Sequence, residues 1–585
     1  GAGKTTRVPP ALLDRLPGKI LVLEPRRIAA RASAERVAAE LGEALGERVG
    51  YRVRFESKPG RRLDYVTEGV FLRMLQSDAL AEVSAVVFDE FHERHLDGDL
   101  SLALVESLSR TRKDLHLLVM SATLDAEPIA KHLDAPRVRS EGQSYPVDIQ
   151  YSQGRDERRL EARVASGIRA LWHHPGDVLV FLPGVGEIER CREALKGVDA
   201  ELLTLHGQLS AKDQRRVFAP SDRRRVVLAT NVAETSITVD GITAVIDTGL
   251  ARIPRWDASS GLARLSLTPI SRASAIQRAG RAGRTAPGVC LRLYPRSDFD
   301  ARDAHTPAEI LRADATPLLL AVYRSGYRID ELNWLTPPPS ASVDAARSTL
   351  ERLGAIEEER LTSRGEQLAR LPLHPRLGAL LLDAAEHGAR NDGALAAALV
   401  SERDFVPRGP AEAVGESDLE WRIELLRRRQ PPARVHRPTL YRVREVARQL
   451  ERLATDGERA SADPLRRAVF RAFSDRLAKR MGESEGRIQV LLSAGGRAEL
   501  AENSVVRDSE WMVALGTEMR GPRGREKTTV TLASAVEREW IEEELAGEIR
   551  AVEDLKLESG RVMQTEGFKL GELWLDRDHR PAPPG

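Results

Sequence analysis

At 585 residues the chain is long enough for several domains, roughly four at about 150 residues each. Its 42% hydrophobic and 30% charged content is that of a globular protein, and 89 basic against 88 acidic residues leave a net charge of +1, so any nucleic-acid surface has to be local and not a global basic field. Two distant cysteines, Cys191 and Cys290, exclude a disulfide framework and match no metal-ligand spacing, and the absence of a run of about 18 apolar residues excludes a membrane-spanning helix. Arginine greatly outnumbers lysine, a bias that a GC-rich coding sequence explains more simply than function does.

Gly1, Ala2, Gly3, Lys4, Thr5 and Thr6 open the chain and read as the end of a phosphate loop, G-x-x-x-x-G-K-[ST], whose first glycine would lie upstream of Gly1. The strand that feeds such a loop would lie upstream too, so the chain is read as lacking its true N-terminus. Glycines let backbone N–H groups approach phosphates, and the helix that follows favours anions at its N-terminus. Lys4 would neutralise the β- and γ-phosphates and Thr5 would ligate Mg²⁺. A glycine-rich turn with a solvated lysine is the plain alternative.

Short apolar runs at 20–23, 63–66, 83–88 and 115–120 alternate with helical patterns, and a second series follows at 178–182, 226–229, 244–246 and 289–293. Near-continuous hydrophobicity of this kind predicts parallel strands buried on both faces and joined by crossover helices. A polar stretch at 139–146 predicts a hinge between the two series. The 83–88 run ends in Asp89 and Glu90, at the sheet edge where open α/β folds place their ligands. Asp89 would hold Mg²⁺, and Glu90, also near the metal, would orient or deprotonate a water. His92, two residues on, can link this site to the second series, or be an ordinary surface histidine. Ser121 and Thr123 follow the 115–120 run and can exchange hydrogen bonds with the carboxylates, although Thr123 also suits a helix cap.

In the second series, Thr230, Asn231 and Thr235 follow a strand and suit sugar–phosphate contacts, as do Arg26, Arg27 and Thr67 in the first. Gln277, Arg281 and Arg284 carry the sharpest signal. The two arginines are spaced to share one helix face, and guanidiniums delivered from a second lobe stabilise a transferring phosphoryl group.

After residue 307 the pattern changes. Helices are predicted at 317–324 and 345–353, a hairpin at 355–362, and a rigid break at Pro337, Pro338 and Pro339. From 375 to about 479 the chain reads as helical. Beyond 487, β-prone runs at 488–492, 511–514 and 528–532 surround a helical 533–545, which predicts a small β domain.

The Asp89-Glu90-Phe91-His92-Glu93-Arg94 run, Thr230 to Ser236, and Gln277 to Arg284 together resemble the DEAH/RHA branch of superfamily 2 helicases. Within that branch the chain is similar to the bacterial HrpB type, through the Phe of Asp-Glu-Phe-His, Ala472-Phe473-Ser474-Asp475-Arg476 and Ala494-Gly495-Gly496-Arg497-Ala498. The resemblance implies an α/β fold with two RecA-like P-loop NTPase domains, at 1–143 and 144–305, the second with a duplex-splitting hairpin near 251–269. It further implies a winged helix at 306–375, a helical ratchet bundle at 376–482 and an OB-like β region at 483–585 that stops short of the family's usual end.

The expected activity is ATP hydrolysis (other NTPs being possible) with Mg²⁺, coupled to movement on single-stranded nucleic acid, RNA ahead of DNA, 3′-to-5′. A protein adaptor is possible, a cytoplasmic location is expected and no membrane is involved. A DNA motor and a non-catalytic nucleic-acid scaffold are the rival readings. By the same resemblance, Gly1 to Thr6, Asp89 and His92 belong to the nucleotide site, Gln277 positions water, and Phe218 stacks on the base or fills the core.

Overall fold

Strand residues 83 to 88, Val-Ser-Ala-Val-Val-Phe, are almost wholly buried because neighbours flank them on both edges and helices cover both faces. They form β5 (Val83–Phe88) of a six-stranded sheet, in a computed structural model that describes all but residues 1–2, 76–79, 122–125, 141–144, 155, 208, 210, 220, 235–238, 258–261, 403, 408, 412, 433–434, 458–461, 485, 521–526, 559–560 and 583–585. The other strands are β1 (Lys19–Glu24), β2 (Val49–Val53), β3 (Glu56–Lys58), β4 (Leu63–Thr67) and β6 (His116–Val119), in the order β3-β2-β4-β1-β5-β6. All pairs are parallel except β2–β3. Alternate residues serve opposite cores: Ile20 and Val22 join Tyr65 and Val87 on one face, while Leu21 and Leu23 join Val66 and Phe88 on the other. The register sets Glu24 beside Thr67 and Leu23 beside Phe88, so the ends of β1, β4 and β5 form one edge.

A second sheet repeats the plan. It contains β7 (Val147–Tyr151), β8 (Asp177–Phe181), β9 (Glu201–Leu205), β10 (Arg225–Ala229), β11 (Ile242–Asp247) and β14 (Gly288–Arg292), all parallel, in the order β7-β14-β11-β8-β10-β9. Between β11 and β14, strands β12 (Leu250–Asp257) and β13 (Leu262–Pro269) pair as the expected hairpin. All eight predicted strands are present. The four that periodicity missed, β2, β3, β7 and β9, are short, and three of them, β3, β7 and β9, are sheet edges, where only half of the side chains need be apolar. The parallel sheets are those of two RecA-like domains.

The chain divides into two compact units. Gly1–Pro254, Ser266–Arg312 and Ser325–Pro339 make the first, which holds both sheets. Here His95 donates from Nε2 to Glu93 at 2.9 Å and from Nδ1 to Glu309 at 3.2 Å, fastening residues 305–312 to the first lobe.

The second unit comprises Arg255–Leu265, Ala313–Arg324 and Ser340–Gly585. Helices Thr316–Arg324, Ser340–Arg352 and Ser363–Arg370, with the hairpin β15 (Ile356–Glu357) and β16 (Arg360–Leu361), form the winged helix. Glu358 and Glu359 turn that hairpin at φ 47° and 59°, the pair of left-handed residues a two-residue turn needs. Helices Pro375–Glu386, Arg390–Ser401, Asp418–Arg427, Arg437–Glu451 and Pro464–Ala472 make the bundle. The strands β17 (Leu477–Ser484), β18 (Arg487–Leu492), β19 (Arg497–Leu500), β20 (Trp511–Arg520) and β21 (Lys527–Ala535) close into an OB-like barrel. The helix expected over 533–545 begins only at Arg538, in Arg538–Glu544, because residues 533–535 continue β21 opposite β20. A sheet of β22 (Arg550–Glu558), β23 (Arg561–Leu570) and β24 (Leu573–Pro581) follows.

One buried carboxylate joins bundle to barrel. Asp418, fully buried, accepts from Ser504 Oγ, the Val505 amide and the Ala533 amide, each at 2.8 Å. Asp418→Ala strands these three donors and should cost about 3 kcal/mol, read as a lower urea midpoint for the bundle-and-barrel transition; an unshifted midpoint refutes the assignment.

In the first unit, burial opposes a charge on His95, but hydrogen bonds to Glu309 and Glu93 and the nearby Glu68 outweigh it and push its pKa up to about 10. A raised histidine stabilises fully below its unfolded pKa and loses that contribution as pH rises through the folded one. His95→Gln should therefore lower thermal stability at pH 6 and make no difference above pH 10.

Candidate active site

The sheet edge made by β1, β4 and β5 carries Glu24, Thr67, Asp89 and Glu90. Facing it is the N-terminus of helix Lys4–Leu12, capped by Gly3 at φ 65°, a left-handed conformation that suits glycine. From that first turn Lys4 Nζ donates to the Ser121 carbonyl and Thr5 Oγ1 donates to Asp89 Oδ2. The Tyr65 hydroxyl donates to the Thr5 carbonyl at 2.8 Å and fixes the turn. Asp89 in turn accepts from the Glu90 amide at 2.8 Å. Glu90 has φ 49° and ψ 30°, a left-handed backbone at a non-glycine residue of the kind that clusters at active sites.

These carboxylates are crowded and dry. Burial, and then the neighbouring Glu90, push Asp89 up to about 6, against the Thr5 hydrogen bond and Lys4. Burial and Glu93 raise Glu90, and Lys4, Arg281 and Arg284 pull it back. Glu24, wholly buried beside Asp89, Glu90 and Glu93, is raised well above the carboxylate range, by burial first. His92 Nδ1 lies 3.4 Å from Glu90 Oε2. It is not a surface histidine: burial holds its pKa below the ordinary value.

The second lobe supplies the cations. Helix Arg272–Ala279 starts at Ser271, whose hydroxyl accepts from the Ser274 amide at 3.2 Å. Its inward residue Arg278 is completely buried. Arg278 pairs with Glu234 at 3.0 Å and with Asp247, at the end of β11, at 2.9 Å, and lies 4.8 Å over the Phe181 ring. Tyr294 also donates to Asp247, at 2.9 Å.

Arg281 and Arg284 do not share a helix face, because the helix ends at Ala279. The chain then tightens: the amides of Arg281, Ala282 and Gly283 bond to the carbonyls three residues back. In such a tighter coil residues three apart are eclipsed, and both guanidiniums act on Glu90. Arg281 donates to the Glu234 carbonyl. Burial, then repulsion from Arg284, lowers it to about 9 despite Glu90 and Glu234, and burial lowers Arg284 likewise.

Of the other expected residues, Arg26 bridges the lobes, donating to Glu93 Oε2 at 2.9 Å and the Asn231 carbonyl at 3.2 Å. Thr230 starts the turn Asn231–Ala233, Arg27 is exposed at the start of helix Arg27–Glu40, and Gln277 is half-buried on its helix. Thr6 lies in the first turn after Lys4. Phe218 is half-buried against the second lobe's core, with Val217 and Leu205 in that cluster. Gly1, Ala2, Thr123 and Thr235 lie outside the described residues. Sequence reasoning passed over Glu24, Glu234 and Arg278. A helical spacing of Ser274, Ala275, Arg278 and Ala279 was the available sign that Arg278 points inward. Together, a lysine, two carboxylates and two arginines converge on one cleft between sheet edges, an arrangement able to grip a polyphosphate from both sides.

Residues 1–131 match the DEAD/DEAH box helicase family and residues 163–286 the helicase conserved C-terminal domain. The chain is 40% identical to the ATP-dependent RNA helicase HrpB of Escherichia coli over 528 residues, 88% of this chain and 62% of that protein's length. It is 38% identical to the HrpA homolog of Haemophilus influenzae over 411 residues, covering 66% of this chain and 32% of the relative. Two crystal structures of E. coli HrpB, described as a DExH-box NTPase and as a DEAH/RHA helicase, match all of this chain at TM-scores of 0.81 and 0.83. Identities are 36% and 35%, and 71% and 73% of those chains are covered. The chain belongs to the DEAD/DEAH-box helicase family, in the DEAH/RHA branch that contains HrpB.

Proposed function

We propose that this protein is an ATP-dependent motor that moves along or unwinds nucleic acid, RNA in preference to DNA and in the 3′-to-5′ direction. The observation that carries the reading is the joining of the two lobes at the carboxylate edge, where Arg26 donates to Glu93 and to the Asn231 carbonyl and the second lobe's Arg281 and Arg284 draw down the pKa of Glu90. The named relatives HrpB and HrpA, both ATP-dependent RNA helicases, support the choice of RNA.

Lys4 exchanges its bond to Ser121 for the β- and γ-phosphates. Thr5 Oγ1 and Asp89 Oδ2 already meet, and a hard-oxygen pair of this kind fits Mg²⁺, which prefers one or two carboxylates plus phosphate oxygens. Bound there, Mg²⁺ supplies charge neutralisation on the phosphates. Glu90, its basicity raised by burial, accepts the proton of the attacking water, which Gln277 orients. Arg281 and Arg284 stabilise charge on the transferring phosphoryl group. Loss of that group removes what holds the lobes together, and Arg26, Thr67, Thr230 and Asn231 exchange their grip on the sugar–phosphate backbone as the lobes part.

Lys4→Ala should abolish nucleotide binding and nucleic-acid-stimulated ATPase activity. Glu90→Gln should retain binding of a fluorescent ATP analogue and lose at least about 10²-fold in turnover, and Arg281→Ala should lose about 10³-fold or more. Unchanged turnover in any of the three refutes that residue's role. Single-stranded RNA and DNA of equal length should both be compared as activators: stronger stimulation by RNA is expected, stronger stimulation by DNA overturns the substrate assignment, and stimulation by neither favours a scaffold.

A further inference from the structure

Arg26 is shared by two partners in the first unit. Its backbone precedes helix Arg27–Glu40, where the Ala30 amide donates to its carbonyl at 3.0 Å. Its side chain, 20% exposed, donates from Nη2 to Glu93 Oε2 at 2.9 Å and from Nη1 to the Asn231 carbonyl at 3.2 Å. The same carboxylate oxygen, Glu93 Oε2, accepts from His95 Nε2, also at 2.9 Å. His95 Nδ1 reaches Glu309 at 3.2 Å. Arg26, Glu93, His95 and Glu309 therefore form a chain of alternating charge. Against burial, the hydrogen bonds to Glu309 and Glu93 hold the His95 pKa at about 10, so the imidazole carries its charge at neutral pH.

Two cations on one carboxylate oxygen make a tie from which one of them can leave. Removing the partner of a buried charge is strongly unfavourable when that charge is left alone. Glu93 is not left alone when Arg26 departs, because His95 keeps it. Arg278, by contrast, is wholly buried between Glu234 and Asp247. A destination for Arg26 lies beside it. Helix Arg27–Glu40 has no side-chain cap at its start and no acidic residue in its first turn, so its first amide N–H groups present a positive end that suits a phosphate.

We propose that Glu93, steadied by His95, competes with the nucleic-acid backbone for Arg26 and so sets how much nucleic acid is needed to switch on hydrolysis. The inference rests on the nucleic-acid reading above and gives roles to two residues that it leaves out. Both are positioning residues that act through Arg26. When a phosphate displaces Glu93, Arg26 also gives up the Asn231 carbonyl of the second lobe, so capture of the strand and release of a tie between lobes are one event. The exchange takes place next to the catalytic carboxylate, since the Glu93 amide donates to the Glu90 carbonyl at 2.9 Å.

The test is the anisotropy of a fluorescein-labelled single-stranded RNA on the full chain without nucleotide, with the RNA concentration that half-activates ATP hydrolysis as the second readout. Glu93→Gln removes the competing charge and should tighten binding about threefold or more, with a matching fall in the half-activating concentration. His95→Gln removes the cation that shares Glu93, strengthens the hold on Arg26 and should weaken binding by a similar factor. In an Arg26→Ala background both substitutions should be silent. A merely structural role for Glu93 and His95 predicts losses of the same sign that persist without Arg26. Equal or weaker binding by Glu93→Gln at an unchanged thermal midpoint overturns the proposal, as does either effect surviving in Arg26→Ala. Should Glu93→Gln fold poorly, His95→Gln with and without Arg26→Ala decides the matter by the same criterion. RNA binding retained while Glu93→Gln is silent counts against this inference alone, whereas no RNA binding by the unaltered chain overturns the nucleic-acid reading and this inference with it.

Discussion

Everything in the first unit turns on a cluster of buried charge that neither lobe can balance alone. Asp89, Glu90 and Glu24 stand at one sheet edge, each destabilised as an anion by burial and by neighbouring carboxylates. Lys4 comes from the same lobe, but Arg281 and Arg284 come from the other, and they too are destabilised by burial. Carboxylates and guanidiniums therefore satisfy one another across the cleft, and the energy of that satisfaction depends on how closely the two sheets approach. The electrostatics of this site are therefore coupled to the separation of the two sheets.

The second lobe can deliver its arginines only because a different arginine is immovable. Arg278 is locked between Glu234 and Asp247 and stacked over Phe181, so the helix that carries it cannot rotate. Removing both carboxylates would leave a buried charge unpaired, a cost of several kcal/mol. The turn after Ala279 hangs from that anchor, and Arg281 is steadied by the Glu234 carbonyl, part of the residue that also holds Arg278. Three arginines of one short run thus divide into one that builds the lobe and two that face out of it.

The second unit follows another logic. Its winged helix, bundle and barrel are held by local polar ties such as that of Asp418, and by apolar packing within each element group.

Much of the fold was legible in the residues. The eight strands buried on both faces announce themselves as apolar runs, and β5 was placed to the residue because a central parallel strand has no polar face to blur it. Strands β7 and β9, at the sheet edges, carry a mixed pattern with Asp148, Gln150 and Glu201, and periodicity gave no warning of them. The sequence by itself determined which charged and hydroxyl side chains the site would have, since Gly-Lys-Thr, Asp-Glu and the paired arginines keep their chemistry wherever they lie. It could not determine that Arg281 and Arg284 leave the helix and align in a tighter turn, that Arg278 turns inward, or that Arg26 would meet Glu93 and Asn231. Spacing along a chain reports only the local winding of the backbone. Which side chains face each other over hundreds of residues is fixed by strand order and by the burial of a few ions, and that was decided by the tertiary structure alone.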